Sequence, residues 1–354
     1  MSDSGKMNSA FRIIDASFNR AMEGLRVVEE FARMHLNDLH LSERSKNLRH
    51  DLNAVVSQIG GLRLIECRDI EHDVGTQIGT DSEYSRTSML EITRANFGRV
   101  LQSLRSMEEY SKLVAPETSK SFESLRYETY SLEKAMVGVE TSLRLIGDAN
   151  IYVLIDTCSS VEAFERLINE LVEAKVDFIQ LRDKRLDDRE LVEAGQLLSR
   201  LTRPTSIRWI MNDRADLAAV TDADGVHLGQ TDISVAAGRS IVGLGKIVGV
   251  STHNVEQAEQ AVVDGADYIG VGPCFESKTK TFESFAADDF VAAVADRISL
   301  PAFAIGGIDS DNIEHLLGLG VTRFAIGNAI AGATSPASAV EAIRNKVINH
   351  VAIG

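Results

Sequence analysis

The first part of the chain repeats apolar side chains with the period of an α-helix. Intervals of three or four residues separate them, so they share one helix face. The apolar positions on this face are Phe11, Ile14, Phe18, Ala21, Leu25 and Val28. Similar patterns at 41–59, 87–113 and 119–146 predict three more helices. Residues 1–148 are therefore predicted to form an all-α domain, arranged as a helical bundle.

An internal repeat runs through this helical region. The sequence LRVVEEFAR at 25–33 returns as LRSMEEYSK at 104–112, and LRH at 48–50 returns as LRY at 125–127. Two echoes in the same order predict a duplicated helical hairpin with an approximate internal two-fold axis. The alternative is a chance similarity between amphipathic helices, which share the same periodic pattern.

The pattern changes near residue 149, where short apolar runs begin to alternate with helical stretches. These runs predict strands at 151–155, 178–181, 208–211, 225–228, 247–250, 268–271, 302–305 and 323–326. Eight strand-then-helix units predict that residues 149–354 form a (β/α)8 TIM barrel, in the α/β class. The structural alternative is a doubly wound sheet. That fold concentrates phosphate-binding glycines after its first strand, and 156–159 contains none.

Composition excludes several kinds of partner. The chain has 37 basic and 52 acidic residues, and its net charge of −15 argues against nucleic acid or an anionic membrane as the main partner. Its three cysteines are scattered and form neither a disulfide framework nor a zinc pattern. The sequence has no basic, apolar leader and no apolar stretch approaching the roughly 20 residues of a membrane span. We expect a cytoplasmic protein whose partners are small-molecule substrates.

An amide and two cations follow the second strand. Alternation places Gln180, Arg182 and Lys184 on the same side, facing the carboxyl-terminal mouth where barrel active sites lie. Such a group suits an anion with several oxygens, such as a pyrophosphate. The alternative is a surface turn in which Asp183 and Arg185 form a salt bridge.

Two carboxylates follow the third and fourth strands. Asn212 and Asp213 end the third strand, and Asp232 lies just after the fourth. Carboxylates at neighbouring strand ends can share one Mg²⁺, which takes its other ligands from water and phosphate. Mg²⁺ is therefore the predicted cofactor, with Asp213 and Asp232 as its ligands. The alternative is that Asp232 only caps a helix beginning at Ile233.

The remaining strand ends predict phosphate binding. The fifth strand is followed by Ser251 and His253, and we expect His253 to shape its loop rather than act as a general base. The polar loop at 275–280 is typical of a lid or phosphate grip, although it could be merely solvated. Glycines at 306–307 and 327 let backbone N–H groups approach a phosphate.

Taken together, these motifs resemble the thiamine-phosphate synthase family, also called thiamine-phosphate pyrophosphorylase. They cover most of residues 150–330, in the family's order and at nearly all the strand ends. The matching segments are 180–184, 212–213, 223–232, 249–253, 270–273 and 304–308. No single segment is specific, but the combination is.

The resemblance implies a Mg²⁺-dependent transferase. It would join 4-amino-2-methyl-5-hydroxymethylpyrimidine diphosphate to a thiazole phosphate, releasing pyrophosphate and thiamine phosphate. Arg182, Lys184 and Lys280 would be the catalytic cations. The binding residues that it implies are Gln180, Arg182, Lys184 and Asn212 for the pyrimidine diphosphate, Ser251 and Lys280 for the leaving pyrophosphate, and Ser277, Thr279 and Gly307, with backbone at Gly327 and Asn328, for the thiazole phosphate. The family usually has threonine where Ser277 stands, and the hydroxyl is kept.

Two other functions use the same barrel. A phosphosugar isomerase or epimerase would share the phosphate cup, but it needs a base near a carbon acid and has no use for a diphosphate grip. A pure binding module is disfavoured by the paired aspartates at the third and fourth strand ends.

The helical region resembles the domain fused ahead of some thiamine-phosphate synthases, a family proposed to phosphorylate the pyrimidine monophosphate. The resemblance lies in 20–33, 68–79 and 99–112, and no Walker loop is present. The alternative is that its repeated charges form solvated ion pairs, Arg26 with Glu30 and Glu29 with Arg33.

Overall fold

The computed structural model describes residues 3–68, 85–276 and 286–353. The chain divides into two compact units between Glu140 and Thr141, inside the last helix of the helical region. In the described part of the chain, no helix is both long enough and apolar enough to cross a membrane.

The first unit is helical, as the apolar period predicts. Its helices are α1 Asp3–Glu30, α2 Leu39–Glu66, α3 Met89–Val114 and α4 Ser119–Ile146, the last of which continues into the second unit. A π-helical turn, Phe31–His35, extends α1. Side-chain caps fix two of the starts: Asp38 accepts the N–H of Leu41 at 2.7 Å, and Ser88 accepts the N–H of Glu91 at 3.1 Å.

Helices α1 and α3 approach each other closely. A Cβ atom added at Gly24 would lie 2.8 Å from Cγ2 of Val100 and 3.2 Å from the carbonyl oxygen of Asn96. Around this contact, Leu25 and Val28 of α1 are almost completely buried. The predicted apolar face of α1 is thus the face that packs, and glycine at this position sets the helix spacing.

The repeated sequence makes the same ion pair twice. Glu29 of α1 is buried and accepts an N–H of Arg49 on α2 at 3.2 Å. Glu108 of α3 is buried and accepts an N–H of Arg126 on α4 at 3.0 Å. Each glutamate therefore joins its own helix to the next one along the chain, in both copies of the repeat.

Shorter-range pairs add to this arrangement on the helix surface. Arg26 contacts Glu30 at 3.1 Å, as the ion-pair interpretation expects. The same interpretation paired Glu29 with Arg33, but the contacts of Glu29 are Arg49 at 3.1 Å and Arg26 at 3.6 Å. The charges of the repeat are therefore partly buried between helices rather than wholly solvated.

The second unit is a closed barrel of eight parallel strands in chain order, which confirms the predicted TIM barrel. Its strands are β1 Ile151–Ile155, β2 Phe178–Leu181, β3 Arg208–Asn212, β4 Gly225–Leu228, β5 Ile247–Thr252, β6 Tyr268–Val271, β7 Ala302–Ile305 and β8 Phe324–Ile326. The barrel closes where Ile151 of β1 pairs with Phe324 of β8. All the carboxyl ends of the strands therefore open at one mouth.

Helices surround the barrel. They are α5 Val161–Glu173, α6 Asp188–Thr202, α7 Ala215–Val220, α8 Val235–Val242, α9 Val255–Asp264, α10 Asp288–Arg297, α11 Ile313–Gly318, α12 Asn328–Ala331 and α13 Pro336–Ile353. An aromatic and aliphatic cluster forms the core of this unit, with members from the strands, the end of α4 and the segment before β1. Its buried members are Ile146, Ala149, Tyr152, Phe178, Ile210, Ile247, Tyr268, Phe303 and Ala325.

Three aspartates bracket neighbouring strands at the amino-terminal end of the barrel. Asp177, just before β2, accepts the N–H of Ile151 at 2.9 Å. Asp224, just before β4, binds the start of β3 through the N–H of Trp209 at 2.8 Å, and Asp267, just before β6, binds the start of β5 at 2.7 Å. Each carboxylate accepts a backbone N–H from the preceding strand, and Asp267 also pairs with Arg239 at 2.5 Å.

A guanidinium closes the same end of the barrel. Arg323, just before β8, donates to the carbonyl oxygens of Gly147, at 2.8 Å, and Ala149, which precede β1. Burial lowers the pKa of Arg323. The start of the last strand is thus tied to the start of the first.

Candidate active site

Cations after β2 meet a carboxyl group after β3. Arg182 extends β2 by one residue, since its backbone N–H donates to the carbonyl of Ile155 at 2.9 Å. Lys184 is exposed, and its Nζ lies 3.8 Å from Oδ2 of Asp213. The charges of Lys184 and Arg182 both act on the Asp213 carboxyl. The structure thus brings together three residues that the sequence singled out, from two neighbouring strands.

Asp213 and Asp232 form a carboxyl pair. The backbone of Asp213 is left-handed, with φ +61°, and its N–H donates to the carbonyl of His227 at 2.8 Å. Burial raises the pKa of Asp213, and the charge of Asp232 and a hydrogen bond to it raise the pKa further, against the opposite effect of Lys184 and Arg182. Two carboxyl groups this close repel when both are ionised, and a shared cation relieves that repulsion.

This donor set fits Mg²⁺. The described residues contain no group of three or more His, Cys, Asp or Glu arranged to hold a metal. Mg²⁺ commonly binds through one or two carboxylates and completes its octahedron with waters and phosphate oxygens. A cleft of about 550 Å³, lined in part by Asp213, Thr231 and Asp232, leaves room for those ligands.

Asp232 does not cap the helix that follows it. Helix α8 begins at Val235, and its cap is Ser234, whose Oγ accepts the N–H of Ala237 at 3.2 Å. Asp232 instead accepts the N–H of Gly229, in its own loop, at 2.6 Å. The N-cap interpretation of Asp232 is therefore wrong, because the carboxyl group bonds within the loop beside Asp213.

The turn after β2 also contains the salt bridge considered as an alternative. Asp183 is buried and accepts hydrogen bonds from Arg185 at 2.6 Å and from the hydroxyl of Thr157 at 2.7 Å. These bonds, led by that of Arg185, hold the pKa of Asp183 well below its usual range. Asp183 and Arg185 thus form a rigid base for the loop, while Lys184 reaches Asp213.

A chain of hydrogen bonds crosses the barrel interior. Gln180 of β2, only 2% exposed, donates from Nε2 to the hydroxyl of Tyr152 at 2.6 Å. The hydroxyls of Tyr152 and Tyr268 lie 2.9 Å apart, and Nδ1 of His227 lies 3.0 Å from that of Tyr268. The other nitrogen of His227, Nε2, lies 3.0 Å from Oγ of Ser251. Two predicted site residues, Gln180 and Ser251, are thus the two ends of one network.

Sequence reasoning missed the three aromatic members of this network. Tyr152, His227 and Tyr268 lie within strands and are buried, so their pattern resembles that of ordinary core residues. Burial lowers the pKa of His227 to about 4, so its imidazole is neutral near pH 7. Burial also raises the pKa of both tyrosines. Their polar atoms were the available signal, because a buried hydroxyl or imidazole needs a partner.

Ser251 and His253 have different surroundings after β5. Ser251 is half-buried at the mouth, and its carbonyl accepts Nε2 of Gln230 at 2.6 Å. Nδ1 of the His253 ring lies 2.6 Å from the carbonyl oxygen of Gly272. The backbone N–H of His253 donates to Oε1 of Gln257 at 2.8 Å. His253 therefore shapes its loop, as expected from the sequence.

Gly307 is required by a close approach of the chain. Its φ is +63°, and an added Cβ would lie 2.3 Å from the carbonyl oxygen of Glu276 and 2.8 Å from that of Phe275. Its own carbonyl accepts Nδ2 of Asn312 at 2.8 Å. Glycine here thus has a packing reason in addition to the phosphate contact that the sequence suggested.

The other predicted residues are placed as follows. Asn212 is the last residue of β3 and is half-buried at the mouth. Gly327 lies between the end of β8, Ile326, and α12, which begins at Asn328. Three predicted residues lie outside the described part of the chain: Ser277, Thr279 and Lys280.

Family models match both parts of the sequence. The model described as thiamine monophosphate synthase matches residues 151–330, which include all eight strands. The model described as the ThiD2 family matches residues 12–135, in the helical unit.

Several relatives match almost the whole chain. A thiamine-phosphate synthase of Rhodopirellula baltica is 42% identical over 91% of this chain and 88% of its own length. The corresponding protein of Synechocystis is 38% identical over 93% of both chains, and that of Nostoc punctiforme is 36% identical over 92% of this chain and 91% of its own.

The chain belongs to the thiamine-phosphate synthase family. A solved structure agrees with the sequence matches: the thiamine phosphate pyrophosphorylase of Pyrococcus furiosus superposes with a TM-score of 0.52 at 30% identity, covering 58% of this chain and 99% of that one. Thiamine-phosphate synthase is a transferase, so the function expected from the motifs is confirmed at this level. The isomerase and binding-module alternatives are thereby set aside.

Proposed function

We propose that the barrel performs the family's transfer with Mg²⁺ held by Asp213 and Asp232. The substrates would be 4-amino-2-methyl-5-hydroxymethylpyrimidine diphosphate and a thiazole phosphate, and the products thiamine phosphate and pyrophosphate. One observation carries the proposal: the half-buried carboxyl group of Asp213 is hydrogen-bonded to that of Asp232, and the two residues line one cleft. A site with this charge arrangement is completed by a divalent cation that also binds phosphate.

The cations of the β2 loop would stabilise the leaving group. Bound Mg²⁺ supplies neutralisation of negative charge on the diphosphate. Arg182 and Lys184, with Lys280 by resemblance, would add charge-assisted hydrogen bonds that strengthen as the bond to the pyrophosphate breaks. Asn212 and Gln180 would orient the pyrimidine diphosphate. Gln180 is buried, so it would act from inside the barrel, beneath the mouth.

The second substrate supplies the nucleophile. Departure of pyrophosphate leaves a cationic methylene carbon, which the aminopyrimidine ring can delocalise. The thiazole nitrogen then forms the new carbon–nitrogen bond, so no covalent enzyme intermediate is required. Gly307 and the backbone at Gly327 and Asn328 would hold the thiazole phosphate, with Ser277 and Thr279 assigned by resemblance. Much of the remaining rate would come from holding two phosphate-tethered rings in contact.

Replacing one carboxylate tests the metal site. In Asp213→Asn, we expect the Mg²⁺ concentration for half-maximal activity to rise and pyrophosphate release to fall by about 10²-fold or more, with an unchanged fold. Asp222→Asn is a matched control, since this exposed carboxylate pairs with Lys246 and Arg203. Wild-type turnover of Asp213→Asn at ordinary Mg²⁺ would remove the assignment.

We propose a second activity for the helical unit, phosphorylation of the pyrimidine monophosphate to the diphosphate that the barrel uses. The match of residues 12–135 to the ThiD2 family supports it, together with the resemblance noted in the sequence. The repeated charges do not, because Glu29 and Glu108 are engaged in pairs between helices.

The full chain provides the test of this second activity. Incubated with the pyrimidine monophosphate, thiazole phosphate, ATP and Mg²⁺, it should form ADP and thiamine phosphate in equal amounts. The control is the same mixture with the pyrimidine diphosphate and no ATP, in which the barrel alone should form thiamine phosphate. Product in the control but no ADP in the first mixture would leave the helices without a kinase role.

A further inference from the structure

The hydrogen-bond network inside the barrel joins five strands in one unbranched sequence. From β2 it passes to β1, β6, β4 and β5, ending at Ser251, the only member that is not buried in the described structure. The successive distances are 2.6, 2.9, 3.0 and 3.0 Å. The last three lie within the range of normal hydrogen bonds, and the first, from Gln180 to Tyr152, is slightly shorter.

Each hydroxyl in the network has a single proton to donate, so the direction of one hydrogen bond determines the direction of the next. Nε2 of Gln180 can only donate, so the hydroxyl of Tyr152 accepts and gives its single proton to Tyr268. Tyr268 must then donate its proton to Nδ1 of His227. A neutral imidazole that accepts at Nδ1 carries its proton on Nε2, which lies 3.0 Å from Oγ of Ser251.

We propose that this network holds His227 as the Nε2–H tautomer, so that Ser251 accepts from the imidazole and directs its own hydroxyl proton at a substrate phosphate. His227, Tyr268 and Tyr152 are then positioning residues that act through Ser251. The inference rests on the proposed function and on the family resemblance, which assigns Ser251 to the leaving pyrophosphate.

A network with every hydrogen bond in the opposite direction would suit an anion poorly. If every bond were reversed, Ser251 would donate to Nε2 of His227 and present only lone pairs to the phosphate. A hydroxyl proton that already points at the anion needs no reorientation when charge develops there. Nδ1 of His227 faces the hydroxyl of Tyr268 and Nε2 faces Oγ of Ser251, and a ring protonated on both nitrogens would be unable to accept from Tyr268.

A glycine on β5 makes room for the middle of the network. A Cβ atom added at Gly249 would lie 2.1 Å from Cζ and 2.5 Å from the hydroxyl oxygen of Tyr268. The ring of His227 stacks on the same phenol, with centroids 5.5 Å apart and planes at 28°. Both rings are thus fixed by packing as well as by hydrogen bonds, as a directional network requires.

The tautomer can be read directly by ¹⁵N NMR of the full chain with labelled histidine. The chain has 8 histidines, and loss of one signal set in His227→Gln assigns the resonances. We expect a protonated Nε2 and an unprotonated Nδ1 for His227 near pH 7. An Nδ1–H tautomer would overturn the proposal, whatever the activity of the protein.

A double-mutant cycle tests whether the network acts through Ser251. Tyr268→Phe keeps the ring and removes the proton donor to His227. We expect it to lower kcat for pyrophosphate release about tenfold with little change in KM, the scale known for groups that orient a ligand rather than touch it. In a Ser251→Ala background the same change should have no further effect.

The outcomes separate this inference from the proposed function. An equal loss from Tyr268→Phe in both backgrounds would indicate a merely structural role and would refute the positioning role. Full activity of Ser251→Ala would refute the hydroxyl's contact with phosphate. Absence of pyrophosphate release from the wild-type chain, with the Nε2–H tautomer present, would instead count against the proposed function.

Discussion

Carboxylates are used differently in the helical unit and at the mouth of the barrel. Glu29 and Glu108 are buried, and each accepts an N–H from an arginine of the next helix, Arg49 or Arg126. At the mouth, Asp213 instead lies beside a second carboxyl group, that of Asp232, which together with burial raises its pKa.

This difference distinguishes scaffold from site. A matched Glu–Arg pair holds two helices together with or without a ligand, whereas two adjacent carboxyl groups repel each other, which the charges of Lys184 and Arg182 only partly offset. The repeated identities of the helical region therefore have a packing explanation. At the barrel mouth, by contrast, Asp213 and Asp232 remain adjacent like charges.

The largest expected loss of activity distinguishes the roles of two arginines in the loop after β2. Arg182→Ala should lower kcat/KM for pyrophosphate release by about 10²-fold or more without changing stability, because a charge-assisted contact to the leaving group is lost. Arg185→Ala is the matched control. It removes the partner of buried Asp183 and should lower thermal stability more than activity. Wild-type efficiency in Arg182→Ala would contradict its role at the mouth.

The next largest effect tests whether the buried ion pairs hold the helical unit together. Arg126→Ala should destabilise the helical unit by about 2–3 kcal/mol, because it leaves Glu108 buried without its partner from α4. Hydrogen exchange followed by mass spectrometry should show faster exchange in α3 and α4, while pyrophosphate release by the barrel stays normal. Unchanged exchange would mean that the pair contributes nothing to the packing of these helices.

A smaller effect comes from the neutral histidine in the barrel. Its pKa is about 4 in the folded chain and about 6.5 when unfolded, so below pH 6.5 the unfolded chain binds a proton that the native barrel does not. Stability should therefore fall by about 1–2 kcal/mol from pH 7 to pH 5 and level off below pH 4.

Urea unfolding followed by the fluorescence of Trp209, a buried residue of β3 and the single tryptophan of the chain, would measure this change. In His227→Gln the difference between pH 7 and pH 5 should shrink by the same amount. An equal pH dependence in the two proteins would show that other groups are responsible.

The smallest effect sharpens the scaffold comparison within one ion-pair cluster. Arg105 contacts the same Glu108 at 2.7 Å, but its side chain is 57% exposed, whereas that of Arg126 is 14% exposed. Arg105→Ala should therefore cost only about 0.2–0.5 kcal/mol, the range of surface pairs within a helix. Equal exchange changes in the two variants would mean that burial does not set the strength of these pairs.

Local periodicity was sufficient to predict the barrel. The runs at 151–155, 178–181, 225–228, 268–271 and 302–305 became strands with those bounds. Parallel strands buried on both faces read as short apolar runs, and the longer amphipathic stretches between them have the period of helices. Predicting residues at strand ends then needed only the rule that a barrel's chemistry lies at its mouth.

Partners that are distant in sequence could not be predicted in this way. Tyr152 and Tyr268 are separated by more than half of the barrel sequence, and their hydroxyls meet only because the strands close into a ring. Glu29 and Arg49 similarly meet only once α1 and α2 fold back on each other. Helix starts were also uncertain, since both Asp232 and Ser234 are good capping residues and only the backbone selects Ser234.

The aspartate brackets at the amino-terminal end of the barrel have a consequence for folding order. Asp177, Asp224 and Asp267 each join strands that are consecutive in the chain, so little loop entropy is lost when these bonds form. Arg323 binds the carbonyls before β1 from the far end of the barrel sequence, which makes its contact the most non-local of the set. Non-local contacts form slowly because the intervening chain must first be ordered. We therefore expect the barrel to assemble as pairs of strands and to seal last at the junction of β8 and β1, where the Arg323 guanidinium adds to the strand pairing that joins the two ends of the ring.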